Sequence, residues 1–315
     1  MASSIAAILT GSWETPPTVY SPRPPPGELA WYAFGMGSSS VFTTALARFA
    51  KLATIAVALI YVGLCFIVFV VQRRLLYFPA RATEAGELTR AARAGFTPWR
   101  DGAGELIGWR ASPAKGARGR VLVLHGNAGS ALDREHLAAA LVARGLAVAL
   151  LEYPGFGARP GTPSIDSLSG AAVDALELLA SEGRGPLWLL GESVGSGVAA
   201  RAIALRPHAV QALLLVTPFS RMTEVARIHY PFLPSIILRD RYAPIDDLTA
   251  FRGPTVVLVA GRDEVVGAEQ GRRLFASLQG PKQLVVQERA THNGVELWPG
   301  APFWEAAVTF LASHE

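Results

Sequence analysis

The 315-residue sequence contains a single cysteine, Cys65, and lacks the common metal-binding and nucleotide-binding motifs. One cysteine excludes an intramolecular disulfide and leaves the redox compartment open. No histidine–cysteine cluster has zinc spacing, and neither the HExxH nor the Walker A pattern occurs. A glycine-rich stretch at 155–161 misses the dinucleotide-binding spacing by one residue. We therefore expect neither a metal nor an organic cofactor.

Charged residues are also scarce, at 17% of the chain against a hydrophobic fraction of 50%. The net charge of +4 comes mostly from arginines that are spread along the chain. Because no basic cluster is interleaved with aromatic side chains, we expect no nucleic-acid partner. The positive net charge instead mildly favours association with acidic surfaces.

The first 40 residues lack the periodic apolar pattern of a folded element. Prolines at 22 and 24–26 favour an extended polyproline II spacer, so we predict that residues 1–40 are disordered. No basic region leads directly into a hydrophobic one, which argues against a cleavable signal peptide. Met36 is a second candidate for the initiating methionine, and one hypothesis is that the natural protein lacks residues 1–35.

Residues 52–71 form an uninterrupted run without a charged side chain. As an α-helix with a rise of about 1.5 Å per residue, this run spans roughly 30 Å, the thickness of the bilayer hydrocarbon layer. A buried core helix is the alternative, but such helices usually carry a polar stripe, which this run lacks. We predict a single-pass transmembrane anchor over residues 41–74. Three basic residues after the run against two before it favour a cytoplasmic catalytic domain.

From residue 75 onward, short apolar runs alternate with helical patterns. The runs at 121–124, 187–190 and 213–216 are wholly apolar, as expected for strands that are buried on both faces of a parallel sheet. The alternation predicts an α/β domain over residues 75–315, with a mostly parallel sheet and helices on both faces. Residues 220–250, rich in proline and aromatic side chains, interrupt it and predict a small cap at the carboxyl edge of the sheet.

A Gly-Glu-Ser-Val-Gly segment at 191–195 lies between an apolar run and a helical pattern of small residues. Strand, tight turn and helix together form the context in which Gly-x-Ser-x-Gly acts as a nucleophile elbow. The glycines let strand and helix approach, and the turn places Ser193 at a helix N-terminus, which favours developing negative charge. The alternative is an ordinary turn with a capping serine.

Two further polar clusters follow predicted strands and contain Asp263 and His292. The chain order serine, aspartate, histidine is one that hydrolases with a nucleophile elbow use. A histidine can take the serine proton near neutral pH, and a carboxylate can hold the imidazole in the required tautomer. We predict Ser193, Asp263 and His292 as the catalytic residues, with Glu264 as the alternative acid.

A tetrahedral oxyanion needs two preorganised N–H donors. We assign them to the backbone of Val194, which follows the nucleophile, and to that of Asn127, in the loop after the 121–124 run.

Other polar residues near these positions have structural interpretations. His125 lies in the predicted oxyanion loop, where we expect a structural role. Asp240 is expected to pair with a sequence neighbour, Arg239 or Arg241. Ser196 lies too far along its helix to be the nucleophile.

Several motifs together resemble a known family. His-Gly-Asn-Ala-Gly at 125–129 and Thr-His-Asn at 291–293 are the most specific of them. The others are Leu-Leu-Tyr-Phe-Pro at 75–79, Tyr-Pro-Gly-Phe-Gly at 153–157, the elbow at 191–195 and Gly-Arg-Asp at 261–263. The chain thereby resembles the α/β-hydrolase superfamily, and within it the BEM46-like group of membrane-anchored hydrolases, which includes α/β-hydrolase domain-containing protein 13. The resemblance covers about residues 50–315 and implies Ser193, Asp263 and His292 as the triad.

Two departures from this family lie outside the triad. The family usually has aspartate and arginine where this chain has Glu152 and Pro154. Glu192, directly before the nucleophile, occupies a variable position, and an acidic side chain there could alter substrate preference. A related group removes acyl chains from proteins, which adds thioesters to the candidate substrates.

These observations predict a membrane-anchored serine hydrolase of the esterase or thioesterase type. It would cleave an acyl ester or thioester, lipid-like in character, through an acyl-enzyme. The alternatives are a non-catalytic membrane-anchored scaffold with a hydrolase fold and a cofactor-free perhydrolase. A complete triad argues against the scaffold, because a pseudo-enzyme is free to lose one of its members.

Overall fold

A computed structural model describes the backbone of residues 29–183 and 185–314, with side chains from residue 41 onward. The predicted disorder of residues 1–28 lies outside the described residues. The chain divides into two units, Met1–Gly63 and Leu64–Glu315.

The first unit, as far as it is described, consists of one helix that begins at Leu29 and continues into the second unit to Leu76. Residues 29–40 are therefore helical, although their sequence predicted disorder. The last proline of the N-terminal stretch is Pro26, and neither proline nor charge occurs between residues 29 and 40. Nothing in that segment therefore stops the helix from extending toward the N-terminus. From Val41 to Leu76 the helix is long and apolar enough to cross a membrane.

The second unit is built on short strands joined by helices. The strands are β1 (Phe78–Pro79), β2 (Thr97–Arg100), β3 (Leu106–Ala111), β4 (Gly119–Leu124), β5 (Ala128–Gly129), β6 (Leu146–Leu151), β7 (Leu187–Glu192), β8 (Ala212–Val216), β9 (Thr255–Ala260) and β10 (Lys282–Gln287). The helices are α1 (Leu29–Leu76), α2 (Glu84–Arg93), α3 (Glu135–Val142), α4 (Ile165–Glu182), α5 (Val194–Leu205), α6 (Met222–His229), α7 (Pro244–Asp247), α8 (Ala268–Ser277) and α9 (Pro302–Ser313). Short 3-10 helices occupy Ala131–Arg134 and Ser235–Ile237.

The main sheet has the strand order β10-β9-β8-β7-β4-β6-β3-β2. Neighbouring strands from β10 through β6 in this order are parallel. At the other edge, β3 pairs antiparallel with β6, and β2 pairs antiparallel with β3. Successive residues of β4 face opposite cores: Leu122 and Leu124 pack with α4 and α5, and Val121 and Val123 pack with α3 and α9. Burial on both faces explains why the run is wholly apolar. The predicted mostly parallel sheet with helices on both faces is confirmed.

The cap lies between β8 and β9, as predicted, and contains α6, the Ser235–Ile237 turn and α7. It packs against the last turns of α1. The side chain of Gln72 donates to the carbonyl of Ile237 at 3.0 Å and accepts from the N–H of Arg239 at 2.7 Å. The hydroxyl groups of Tyr77 and Tyr242 lie 2.9 Å apart in a buried hydrogen bond. The helix end and the cap are thus fixed to each other within the second unit.

The predicted ion pair of Asp240 with Arg239 or Arg241 is wrong. Its carboxylate makes a two-pronged ion pair with Arg73 of α1, with N–O distances of 2.9 Å and 2.9 Å. Asp240 is buried, and a buried carboxylate needs a geometrically complete partner. A guanidinium that approaches from another element meets this need, whereas Arg241 is turned to backbone carbonyls of the cap.

Candidate active site

Ser193 stands at the junction of β7 and α5. β7 ends at Glu192, α5 begins at Val194, and Ser193 between them has a φ of 51° and a ψ of −116°. A positive φ at a non-glycine residue is strained and needs surrounding structure to hold it. The flanking glycines allow this turn: a Cβ at Gly191 would lie 2.6 Å from the carbonyl oxygen of Gly195. One at Gly195 would collide with the carbonyl oxygen of Leu124.

The structure brings the three residues predicted as catalytic into one hydrogen-bonded chain. The Nε2 atom of His292 lies 3.0 Å from the Oγ of Ser193. Its Nδ1 atom lies 2.8 Å from the Oδ2 of Asp263. Asp263 follows β9 and His292 follows β10, so both come from the carboxyl edge of the sheet. Ser193 and His292 are buried, which shields the chain from bulk water.

Asp263 is held by backbone as well as by the imidazole. Its Oδ1 atom accepts hydrogen bonds from the N–H of Val265 at 3.0 Å and of Val266 at 2.8 Å. Burial raises the pKa of this carboxyl, but the hydrogen bond to His292 and those from the backbone outweigh it and leave the pKa below its usual value. The carboxylate is therefore ionised at neutral pH, accepts the Nδ1 proton and leaves Nε2 free to accept from the serine.

Glu264, the alternative acid in the sequence, has a different contact. Its Oε2 atom accepts the backbone N–H of His292 at 3.2 Å. The two neighbouring acids are thus separated by geometry, with Asp263 on the ring and Glu264 on the backbone of His292.

Both predicted oxyanion donors belong to segments next to Ser193. Val194 is the first residue of α5, and the loop with Asn127 runs against the serine, since a Cβ at Gly126 would lie 3.6 Å from the Cβ of Ser193. Within residues 29–183 and 185–314, neither N–H donates to a protein acceptor. Both are therefore available to a developing negative charge.

Sequence reasoning did not foresee what holds Asn127. Its side-chain Nδ2 donates to the carbonyl of Leu76 at 2.7 Å, and its carbonyl accepts from the N–H of Phe78 at 2.8 Å. In the sequence, the segment at 75–79 is only one of the motifs that carry the family resemblance. Here it is the part of the chain that positions the candidate oxyanion loop.

Glu192 is neutralised by a residue that sequence reasoning also missed. Arg134 donates to both carboxylate oxygens, at 2.7 Å from Nε and 3.2 Å from Nη2, and also to the carbonyl of Ala128 at 3.0 Å. The pair is mostly buried, with side-chain exposures of 13% for Arg134 and 23% for Glu192. The acid beside Ser193 thus ties the candidate oxyanion loop to β7, and its charge is balanced by Arg134.

A buried pair of titratable groups supports the same loop. His125 donates from Nδ1 to the carbonyl of Gly126 at 2.8 Å, and its Nε2 lies 3.8 Å from Glu152. Burial, with a contribution from Arg134, lowers the pKa of His125 to about 3. Burial raises the pKa of Glu152 to about 8, although the N–H of Ala131 partly opposes this. Both groups are mostly uncharged at pH 7, which fits a structural role.

These shifts predict how stability depends on pH. The unfolded chain binds the extra proton at His125 between about pH 3 and 6.5, so this group makes stability rise with pH there. The folded chain binds the extra proton at Glu152 between about pH 4.5 and 8, so this group makes stability fall. Of these two groups, only Glu152 still changes stability above pH 6.5. Between pH 6.5 and 8 it lowers the free energy of unfolding by about 2 kcal/mol.

We therefore expect Glu152→Gln to remove much of the loss in melting temperature between pH 6.5 and 8. Glutamine can still accept from Ala131 but cannot titrate. Thermal unfolding of the detergent-solubilised protein would measure this, with Glu269→Gln at an exposed site as the matched control. A Glu152→Gln curve parallel to that of the wild type would contradict the assigned protonation.

A cavity of about 340 Å³ adjoins the site. Its wall is mostly apolar and comes from the end of α1, with Val68 and Leu75, and from the cap, with Val225. Asn127 and Val265 also line it. The cavity therefore borders both the candidate oxyanion loop and the loop that holds Asp263.

Comparison with known proteins agrees with this architecture. Residues 115–241 match the family model Hydrolase_4, described as serine aminopeptidase, S33. The chain is 36% identical over 262 residues to the uncharacterized protein Rv2307c of Mycobacterium tuberculosis, which covers 81% of this chain and 92% of the relative.

More distant relatives carry functional names. The chain is 28% identical over 197 residues to lysophosphatidylserine lipase ABHD12 of Danio rerio, which covers 56% of this chain and 52% of that protein. The chain thus spans about half the length of that relative. The solved structure of the Pyrococcus furiosus esterase Pf2001 superposes with a TM-score of 0.58 at 15% identity, covering 76% of this chain and 98% of that one. From the sheet order, the nucleophile elbow and these matches, the chain belongs to the α/β-hydrolase superfamily.

Proposed function

We propose that this protein is a membrane-anchored serine hydrolase that cleaves carboxylic ester or thioester bonds through an acyl-enzyme. The observation that carries the proposal is the chain of two hydrogen bonds from Ser193 through His292 to Asp263, at 3.0 Å and 2.8 Å. This arrangement supports the roles of nucleophile, base and orienting acid for the three side chains.

In the first half-reaction, the Oγ of Ser193 attacks the carbonyl carbon while the Nε2 of His292 takes its proton. Asp263 stabilises the imidazolium that forms. The backbone N–H groups of Val194 and Asn127 donate to the oxyanion of the tetrahedral intermediate. Collapse of the intermediate expels the alcohol or thiol, which takes the proton from His292, and leaves the acyl group on Ser193.

The second half-reaction repeats these steps with water. His292 takes a proton from water as its oxygen attacks the acyl-enzyme, and then returns the proton to Ser193 as the carboxylic acid leaves. Every proton in the cycle moves among Ser193, His292 and the substrates. The mechanism draws on no metal or organic cofactor.

The apolar cavity supports an acyl substrate. Its wall includes Asn127 of the candidate oxyanion loop and Val265, two residues after Asp263, although none of the three triad residues lines it. We infer that it holds the acyl chain of a substrate whose carbonyl reaches Ser193. Pockets for small ligands are typically lined by apolar side chains with a few convergent polar groups, as here. The names of the ABHD12 relative, a lipase, and of the Pyrococcus esterase point in the same direction.

The long apolar helix supports membrane anchoring. Residues 52–71 carry no charge, and the apolar part of α1 has no buried share. An unburied apolar helix of this length is stable in lipid and costly in water. The basic residues that flank it lead us to propose a cytoplasmic active site.

Labelling with a fluorophosphonate probe in detergent solution tests the enzymatic proposal. We expect the wild type to be labelled and Ser193→Ala to lose labelling completely. Ser196→Ala is the matched control, because Ser196 donates from Oγ to the carbonyl of Ser193 at 2.5 Å while its N–H donates to the same carbonyl at 2.9 Å. That carbonyl keeps a donor in the control, so labelling should persist. Unlabelled wild-type protein that is folded would favour a non-catalytic scaffold instead.

A further inference from the structure

The cap exposes a group of large apolar side chains to solvent. These four residues, here called the cap rim, are Ile228, Tyr230, Phe232 and Ile236, with exposures of 55%, 51%, 86% and 76%. Isolated apolar side chains on a surface are ordinary, but several large ones on one short segment indicate an interaction surface. An aromatic and aliphatic mixture of this kind suits the boundary between water and lipid.

The contacts between the cap and α1 indicate that the cap rim faces the membrane boundary. The guanidinium of Arg239 lies over the ring of Phe69, with 5.4 Å from its carbon to the ring centroid. Val68 of α1 lines the same cavity as Tyr230 and Leu233 of the cap. Phe69 and Val68 belong to the uncharged run at 52–71. The cap therefore reaches the level at which that run ends.

The charges of the cap segment that carries the rim, residues 222–241, complement an anionic surface. In the rest of the cap, Asp246 and Asp247 are paired with Arg221 and Arg201. Residues 222–241 contain three arginines and two acidic residues, and both acids are already paired, Glu224 with Arg227 and Asp240 with Arg73. Within the described residues, Arg239 and Arg241 make no ion pair with a carboxylate. Both are exposed and lie close in sequence to the rim. Basic side chains placed next to apolar ones are the pattern that binds anionic phospholipid headgroups.

We propose that the cap rim inserts into the interfacial layer of a phospholipid bilayer that contains anionic lipids, on the leaflet where α1 leaves the membrane. The arginines at 239 and 241 contact the phosphate groups, and the rim side chains contact the first methylene groups beneath them. The cavity, with Val68 in its wall, then opens toward the acyl layer of that leaflet. This inference rests on the proposed membrane span and adds that the catalytic unit is seated on the bilayer.

The natural cysteine content makes the test direct. Cys65 is the only cysteine and belongs to the uncharged run of α1. A bimane fluorophore on Cys65 reports the span itself, and the same fluorophore on Ile236, in Cys65→Ala with Ile236→Cys, reports the rim. Lys115, in Cys65→Ala with Lys115→Cys, is the control, since it is exposed and precedes β4 at the sheet edge opposite to the active site.

The full-length protein is reconstituted into vesicles of phosphatidylcholine and phosphatidylglycerol, with and without brominated acyl chains that quench bimane by contact. We expect most of the emission to be lost at Cys65 and Ile236 and none at Lys115. Quenching at Cys65 without quenching at Ile236 would overturn the seating of the cap while leaving the span in place. No quenching at Cys65 would refute the span and the seating together. Equal quenching at all three positions would indicate general adsorption and would also count against the proposal.

Discussion

Replacing His292 with alanine is expected to lower kcat for a p-nitrophenyl ester by about 10⁶-fold, with little change in KM. His292 is the base within hydrogen-bonding distance of Ser193, at 3.0 Å from Nε2 to Oγ. Without it the serine keeps its proton, and a neutral hydroxyl is a poor nucleophile. Removing either the nucleophile or its base costs nearly the full rate enhancement of the triad, so the loss should match that of Ser193→Ala.

His208→Ala is the matched control for this prediction, because His208 is exposed in the loop after α5. Wild-type kcat is expected there. Far-ultraviolet circular dichroism of both variants would show that the fold is kept. General acid–base catalysis contributes at least about 100-fold. A folded His292→Ala variant that keeps more than about one hundredth of the wild-type rate would therefore argue against the assigned role.

Elements that are buried on both faces were readable from the sequence. The apolar runs at 121–124, 187–190 and 213–216 became β4, β7 and β8 because every residue in them meets a core. The elbow was readable for a different reason. A strand that passes through one residue into a helix brings backbone so close to positions 191 and 195 that only glycine fits there. Both patterns involve residues that are close in sequence, and such patterns can be recognised in a single sequence.

Pairings between distant segments were not readable in this way. Asp240 has arginines on both sides in the sequence, yet its partner is Arg73, 167 residues away. Arg134 neutralises Glu192 from 58 residues away. Charge and spacing cannot rank such partners, because the choice depends on which elements the fold brings together and on how deeply the acid is buried.

The start of α1 at Leu29 was also not predicted, because it depends on residues outside the segment itself. Serine and glycine are weak helix formers, so residues 37–40 gave no helical signal of their own. Extension of a helix that already exists costs little, whereas nucleation of a new one is unfavourable. The apolar run downstream therefore determines the state of a segment that looks indifferent when it is read alone.

Replacing Asp263 with asparagine is expected to lower kcat by about 10⁴-fold. The Oδ1 position receives the N–H groups of Val265 and Val266. An asparagine must turn its carbonyl oxygen toward these donors, which leaves its NH₂ group facing the Nδ1 of His292. Two donors cannot share one hydrogen bond, so the imidazole must move its proton to Nε2. In that tautomer it cannot accept the proton of Ser193.

Glu264→Gln is the matched variant for this second prediction. Glu264 accepts a hydrogen bond from the backbone N–H of His292, at 3.2 Å, and makes none with its imidazole ring. A glutamine oxygen can accept the same bond, and kcat should stay within a few-fold of the wild type. The rate of fluorophosphonate labelling should follow kcat in both variants, because the same activated Oγ reacts. A large loss in Glu264→Gln together with a small one in Asp263→Asn would reverse the two acids and make Glu264 the partner of the imidazole in solution.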